Sequence, residues 1–330
     1  MGQLSKYRTL FVLLVIVIIA SFLSNAFFTT TNLLNIARQV SITAIVGAGM
    51  TLVILVAGID LSVGAVLAVS GAIVAGVLAS TNSVMLAILV SLIVGIFFGS
   101  INGFLSTKGK MPSFIVTLAT MAVARALTLV LTNGYPVVVR SSSFREIGNG
   151  HILGVPIPVI LMVVIFVLLH ILLKHTKLGR YIYSVGGNES ASRLTGINTY
   201  RVIITTFILS GIFTSIASLI YTARLSSAQP TAGTGLELDA IAAVILGGTS
   251  LAGGQGGVFG TLIGAFIMGI LDNILNLMNI NPYYQGIVKG VVIILAVFTD
   301  NKFRSIAVAR FKSQPETNVK EANVEEAKAN

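Results

Sequence analysis

The sequence predicts an all-α membrane protein, a polytopic helical bundle of about ten transmembrane helices with both termini in the cytoplasm. Three observations predict this fold class. Of the 330 residues 55% are apolar and only 10% are charged, and the mean hydropathy is +0.95. A soluble domain carries about 25% charged residues. The apolar residues form runs long enough to cross a bilayer, and the basic residues collect between these runs.

The apolar runs predict the individual spans, because about 20 consecutive apolar residues cross a bilayer. Pro112 predicts where the fifth span starts, since a first-turn proline loses no helical hydrogen bond. The joints between the second and third spans and between the eighth and ninth are short and glycine-rich, so broken or re-entrant helices remain open there. In chain order the predicted spans are 9–27, 41–57, 63–80, 84–105, 113–133, 156–173, 202–221, 239–252, 257–277 and 285–299.

The basic residues predict the orientation, because cytoplasmic loops of membrane proteins carry an excess of Lys and Arg. With a cytoplasmic N-terminus, an even number of spans brings most of them to the cytoplasm. The alternative for the first run is a signal peptide cleaved near Ala26, although this run is longer than a usual signal core. The basic residues assigned to the cytoplasm are Lys6, Arg8, Lys108, Lys110, Lys174, Lys177, Arg180, Arg193, Arg201, Lys302, Arg304, Arg310 and Lys312. Those assigned to the opposite side are Arg38, Arg140, Arg145 and Arg224.

Glycines recur every fourth residue in two of the spans, and such rows let two helix backbones approach closely. They predict packing between helices rather than a ligand site. The rows are Gly95, Gly99 and Gly103 in the fourth span and Gly256, Gly260 and Gly264 in the ninth. Residues 1–312 form the predicted transmembrane domain, and the polar residues 313–330 form a disordered cytoplasmic tail.

The sequence lacks the usual signatures of an enzyme. There are no cysteines, which excludes thiol chemistry and Cys-ligated zinc. No phosphate-binding G-x-x-x-x-G-K-[ST] loop and no G-x-G-x-x-G turn occurs. The histidines, His151, His170 and His175, lack the spacing of metal ligands, so no metal site is predicted. The net charge of +10 is explained by membrane orientation, without nucleic-acid binding.

A few charges lie inside or at the edges of the predicted spans, where an ionisable group is costly and often functional. The alternative is that these groups pair with one another or lie at the membrane interface. Asp60 and Asp239 are close to predicted span ends, which favours an interface or capping role. Arg125 lies well inside the fifth span and is the better internal candidate. The remaining two are Asp272 and Lys289.

The cytoplasmic loop of about 174–201 is the most informative segment. Gly186 and Gly187 predict a turn. Asn188 is a suitable N-cap for a short helix from Glu189 to Leu194, and Gly196 ends it. This helix is either a solvated connector or a docking helix for a cytoplasmic partner.

Several longer motifs resemble the permease subunits of bacterial ABC sugar importers, in the ribose and branched-chain amino-acid permease superfamily. Residues 58–64 read GIDLSVG, like the signature of the ribose branch. Residues 178–183 (LGRYIY) and 186–189 (GGNE) resemble the family's cytoplasmic loop. The segments 223–235, 237–243, 246–254 and 284–289 extend the resemblance, which covers roughly residues 28 to 303.

The resemblance implies that this chain is not an enzyme and binds no cofactor. A separate cytoplasmic ATPase would hold ATP and Mg, and a periplasmic or lipid-anchored binding protein would deliver the sugar. A second permease, identical or homologous, would complete the path across the cytoplasmic membrane. The implied ATPase-coupling residues are Gly179, Arg180, Gly186, Gly187, Asn188, Glu189, Arg193 and Gly196. The implied signature residues are Gly58, Asp60, Gly64 and Asp239.

The expected function is import of ribose or a similar monosaccharide by alternating access, powered by the partner ATPase. One alternative is a permease for another sugar or a furanosyl signalling molecule. The other is a self-sufficient secondary carrier, which would transport without the ATPase. Amide, hydroxyl and aromatic groups suit a neutral sugar. The candidate pathway residues are Asn102, Thr120, Arg125, Asn273, Asn276 and Tyr284.

Overall fold

A computed structural model describes residues 2–281, 283–295 and 298. Short two-stranded ribbons accompany the helices: β1 (Val137–Val138) pairs antiparallel with β4 (Ser227–Ala228), and β2 (His151–Ile152) pairs with β3 (Val155–Pro156). The helices are α1 (Gly2–Leu23), α2 (Thr30–Leu55), α3 (Val63–Thr81), α4 (Val84–Thr107), α5 (Ser113–Thr132), α6 (Ser142–Asn149), α7 (Ile157–His175), α8 (Lys177–Gly187), α9 (Glu189–Leu194), α10 (Thr199–Leu225), α11 (Leu236–Leu246), α12 (Val258–Leu277) and α13 (Tyr283–Leu295).

The prediction of an all-α polytopic bundle is confirmed. Within the described residues, seven helices are long and apolar enough to cross a membrane: α2, α3, α4, α5, α7, α10 and α12. Thr9–Leu23 of α1 and Tyr283–Leu295 are shorter apolar helices. Pro112 is the N-cap of α5, which confirms the predicted start of that helix.

Three predicted spans have clearly different bounds in the structure. The first, predicted as 9–27, corresponds to α1, which ends at Leu23 before a turn. α2 begins at Thr30 instead of residue 41, because the Thr29 side chain accepts a hydrogen bond from the Asn32 amide and caps a polar first turn. The predicted eighth span, 239–252, corresponds to α11, which has only 11 residues. At 1.5 Å per residue α11 is about 16 Å long, half of the hydrocarbon thickness of a bilayer.

Some predictions concern residues outside the described part of the chain. These are the tail 313–330, the end of the predicted tenth span, and four basic residues assigned to the cytoplasm, namely Lys302, Arg304, Arg310 and Lys312.

The bundle has two ends with different connections. One end, here called the α6 end, carries α6, which packs against α7 and α10, together with β1 and β4. The other, the α9 end, carries α8 and α9 between α7 and α10. α10 is central, because it packs against α2, α3, α4 and α6. α2 and α3 are buried over most of their length and form much of the apolar core.

The glycine row of α4 confirms its predicted packing role. Gly95 faces the carbonyl of Gly211 on α10, and Gly99 faces the backbone of Phe207 and Ile208. Gly103 completes the row, and a Cβ there would stand 2.8 Å from the Ile204 Cα. Because no side chain separates the two backbones, α4 and α10 make close contact along this face.

The second row is only partly as predicted. Gly260 and Gly264 lie on α12 and face the backbone carbonyls of Gly247 and Ala243. Gly256 lies before α12 with φ +139°, so it belongs to the preceding loop and not to the helix face. The row therefore packs α12 against the end of α11 through two glycines.

The α4–α10 contact makes a testable prediction with a matched pair of variants. Gly99→Ala should lower the free energy of unfolding by about 1–3 kcal/mol, because the methyl group must displace backbone atoms. Gly76→Ala on α3 should be neutral or stabilising by up to about 1 kcal/mol, since its Cβ would meet no atom within 4 Å. Thermal unfolding of the purified protein measures both, and equal stability of the two variants would contradict the packing role.

Candidate functional site

The short helix α9 forms as its sequence predicts. The Asn188 side chain accepts a hydrogen bond from the Ala191 amide at 2.9 Å, and the helix ends before Gly196, which has φ +84°. Glu189 and Arg193 pair one turn apart at 2.7 Å. Glu189 also accepts a hydrogen bond from the Thr199 hydroxyl at 3.1 Å. These contacts fix α9 to the start of α10.

The surface around α9 is basic. Tyr200 lies between two cations, with the Lys108 Nζ and the Arg193 Cζ each 4.8 Å from its ring centroid. Leu194 is 90% exposed at the end of α9, so an apolar side chain projects from this charged surface. The other exposed basic residues at this end are Lys110, Lys174, Lys177, Arg180 and Arg201. The arrangement suits an acidic protein surface with a pocket for one aliphatic side chain.

Gly186 and Gly187 do not form the predicted turn and instead end α8. At Gly186 the backbone of α8 lies directly against two other segments. Any larger residue would place a Cβ in collision with the Leu55 carbonyl and the Gly254 amide. The Gly254 amide donates to that same Leu55 carbonyl at 2.9 Å. α8, the end of α2 and the loop between α11 and α12 therefore meet at one point, here called the Gly186 junction.

Two further contacts hold α8 in place. The Tyr183 hydroxyl donates to the Gly256 carbonyl at 2.9 Å, and burial raises the pKa of this hydroxyl, which keeps it protonated as a donor. The Thr176 hydroxyl caps α8 by accepting from the Gly179 amide at 3.1 Å. Gly179 itself packs against the carbonyls at the end of α7, whereas Arg180 is exposed.

The signature segment 58–64 forms the buried joint between α2 and α3. Asp60 is 3% exposed, and its Oδ1 accepts from the Ser62 amide at 3.0 Å and from the Ser62 hydroxyl at 2.6 Å. The Asn102 amide donates to that hydroxyl at 2.9 Å. Asp60 therefore fixes the turn that leads into α3 from a buried position, and its expected place at the membrane interface stays a prediction.

Arg125 is the internal charge with the clearest structural role. Its Nη1 donates to the Pro230 carbonyl at 3.0 Å and to the Ala232 carbonyl at 2.8 Å. Both carbonyls belong to the non-helical segment 229–235, which precedes α11. The same segment contacts the signature, because Gly64 faces the Gly233 carbonyl and the Glu237 carboxylate. Arg125 therefore connects α5 to the non-helical segment that precedes the short helix α11.

The remaining internal charges pair with one another, which is the alternative that the sequence left open. The Lys289 Nζ on α13 lies 2.8 Å from Asp239 on α11 and 3.1 Å from Asp272 on α12. The three side chains are only 13–24% exposed. This ion triad joins α11, α12 and α13.

The other predicted pathway residues do not gather in one place. Thr120 is buried, and its hydroxyl donates to the Val116 carbonyl. The Asn273 amide donates to the Asn32 side chain near the start of α2 at 2.8 Å. Asn102 instead contacts the buried joint at the other end of α2. Two more lie near α13: Asn276 accepts from Gln285 at 2.9 Å, and Tyr284 is 63% exposed.

Sequence reasoning used the stretches around 229–235 and Glu237 for the family resemblance but gave them no role in a site, and it missed Asn32. Pro230, Gly233 and Gly235 were available as signals of non-helical backbone. Among the residues that the structure describes, no group of three acidic or histidine side chains could hold a metal ion.

Comparison with known proteins identifies the family. Residues 32–297 match the family described as branched-chain amino acid transport system / permease component. The chain belongs to this permease family. The permease is 51% identical to the ribose import permease protein RbsC of Escherichia coli K12 over 303 residues, which are 91% of this chain and 94% of the relative. The corresponding protein of Haemophilus influenzae is 49% identical over 302 residues, 90% and 94% of the two chains.

A more distant relative of the permease is the D-allose transport system permease protein AlsC of Escherichia coli, 41% identical over 297 residues, 89% of this chain and 91% of the relative. No solved structure matches the chain. The family and the seven apolar spans within the described residues identify a multi-pass protein of the bacterial inner membrane.

The ion triad predicts that removing Lys289 lowers stability and that a second substitution recovers part of the lost stability. Lys289→Ala should lower the free energy of unfolding by about 1–3 kcal/mol, because two partly buried carboxylates lose their counter-ion. Adding Asp272→Asn to this variant should recover part of the loss. Lys174→Ala, which removes an exposed lysine at the end of α7, is the control and should change stability by less than about 0.5 kcal/mol. A loss in the double variant equal to the sum of the two single losses would contradict the triad.

Proposed function

We propose that this permease is the transmembrane subunit of an ABC importer that brings ribose into the cell. The observation that carries the proposal is the identity of about 50% to ribose import permeases over nine-tenths of the chain. It exceeds the 41% identity to the D-allose permease and the 34% identity to an L-arabinose permease. Ribose is therefore the sugar that the comparisons favour.

In the proposed mechanism a cytoplasmic ATPase binds ATP and Mg, and its closure drives alternating access in the permease. This chain makes and breaks no covalent bonds. α9 would dock into the ATPase, supported by its capped ends, the exposed Leu194 and the basic surface around it. The Gly186 junction would carry the movement from α8 to α2 and to the loop before α12.

The docking role of α9 sets the orientation of the bundle. The α9 end would face the cytoplasm, and about ten membrane crossings would place both termini there. The α6 end would then meet the sugar-binding protein. Arg38 lies at this end, where its guanidinium donates to the His151 ring at 2.6 Å, and Arg140, Arg145 and Arg224 belong to the same end. A second copy of the permease would complete the transport path.

The proposed function is tested by reconstitution in proteoliposomes. The permease, its ATPase and the binding protein should accumulate labelled ribose when ATP is enclosed with the ATPase, and not when the ATPase is omitted. An excess of unlabelled ribose should compete, whereas D-allose should compete more weakly. Uptake by the isolated permease in an ion gradient would support the secondary carrier instead.

Docking through α9 is tested by reversing its charges. Glu189→Lys and Arg193→Glu should each reduce uptake and co-purification of the ATPase about tenfold, because a rim charge in a complementary interface changes sign. Folding should be preserved, since an exposed i, i+4 pair contributes only about 0.3–0.5 kcal/mol.

The double variant Glu189→Arg with Arg193→Glu separates docking from helix stability. It restores the ion pair within α9 but reverses the charges that a partner would meet. We expect uptake to remain impaired while the melting temperature recovers in part, since the ion pair is restored but the Glu189 contact with Thr199 and the Arg193 contact with Tyr200 are not. Full recovery of uptake would show that only the intrahelical pair matters and would contradict docking through these two charges.

A further inference from the structure

We propose that the non-helical segment 229–235 lines the sugar path inside the membrane, with Thr231 and Thr234 as the side chains that contact the sugar. The inference rests on the proposed function of sugar import and adds the part of the chain that the sugar meets. Three observations support it. The segment lies within the membrane-spanning part of the bundle, one of its sides is covered by protein while the other is open, and the open side carries hydroxyl groups.

The segment runs within the membrane alongside α3. Ala228 packs in one cluster with Val74 and Leu78, in the C-terminal half of α3. Gly233 contacts Gly64 near the start of that helix. Val74 and Gly64 are about 15 Å apart along the helix axis at 1.5 Å per residue. The residues between Ala228 and Gly233 form turns, and because their ends contact opposite halves of α3, they lie alongside the middle of that membrane-spanning helix.

Non-helical backbone at this depth is tolerated only where protein covers it or where it lines a water-filled cavity. Protein covers one side of the segment. Pro230 and Ala232 are buried, and both of their carbonyls accept hydrogen bonds from Arg125. The carbonyl of Gly233 is packed against Gly64.

The other side of the segment is open and polar. Thr231 and Thr234 are exposed, and a Cβ on Gly235 would meet no atom within 4 Å. The Thr234 hydroxyl donates to the Thr231 carbonyl at 2.8 Å, and its oxygen can still accept a hydrogen bond. The Glu237 carboxylate accepts from the Gly235 amide at 3.3 Å through Oε1, while its other oxygen faces Gly64 on the covered side. Lipid offers no hydrogen-bond partner to the exposed hydroxyls of Thr231 and Thr234, so we infer that water or a hydroxylated solute faces them.

The exposed groups suit a neutral sugar. A threonine hydroxyl can both donate and accept, as each sugar hydroxyl does. Two such hydroxyls would bind a sugar weakly, which allows release as well as entry. Arg125 is half-buried and occupied by the backbone carbonyls, so it positions the segment instead of contacting the sugar.

The natural absence of cysteine allows a direct test, because Thr234→Cys introduces a single thiol. In vesicles that hold the full complex, a charged membrane-impermeant methanethiosulfonate should label this thiol, and ribose with ATP should slow the labelling. The matched control is Val123→Cys on α5, two residues from Arg125 and 56% exposed on an apolar surface. Since a charged reagent is excluded from lipid, Thr234→Cys should react at least about tenfold faster than the control.

Equally slow labelling of both thiols, in vesicles that accumulate ribose, would overturn the location of the path and leave sugar import standing. Absence of ribose uptake by the native complex would instead overturn the proposed function. Fast labelling of both thiols would also contradict the inference. It would show that water reaches the surface around Val123 too, so that access to water would not distinguish the segment 229–235.

Kinetics provide a second readout. Thr231→Val should raise the KM for ribose uptake about two- to tenfold, the effect of one neutral hydrogen bond. Thr231→Ser keeps the hydroxyl and should retain the native KM. A merely structural role would lower the amount of assembled complex in both variants, which co-purification of the ATPase measures. An unchanged KM in Thr231→Val would overturn the assignment of that residue.

Discussion

Close backbone contact at glycine is the interaction on which the rest of this structure depends. Between membrane helices there is little hydrophobic driving force, because lipid tails are as apolar as the side chains. The helices therefore gain from van der Waals contact, and their backbones approach closely where Gly95 meets Gly211 and Gly260 meets Gly247. The first contact places α10 at the centre, and the second places the short α11 beside α12.

The elements that the sequence predicts well are those with local causes. Apolar runs are sufficient to predict most of the spans, Pro112 predicts the start of α5, and Asn188 predicts the start of α9. The row on α4 could be predicted because every fourth residue of a helix lies on one face. None of these features requires knowledge of a distant part of the chain.

The features that the sequence does not predict have distant causes. The residues of α11 and of the loop that follows it are apolar enough to resemble a complete span, yet the helix ends at Leu246. The non-helical segment before α11 is held by Arg125, more than a hundred residues earlier in the chain. The burial of Asp60 likewise depends on Asn102, and Asn273 finds its partner on α2. Such pairs cannot be read from composition or periodicity.

The Gly186 junction has a mechanical consequence. Ordinary helix contacts are made by side chains, which can change rotamer and absorb a small displacement. At Gly186 the backbone of α8 rests directly on the Leu55 carbonyl and the Gly254 amide, with no side chain between them. Packed protein atoms compress very little. A displacement of α8 would therefore reach the end of α2 and the loop before α12 directly, without first being absorbed by a change of side-chain rotamer.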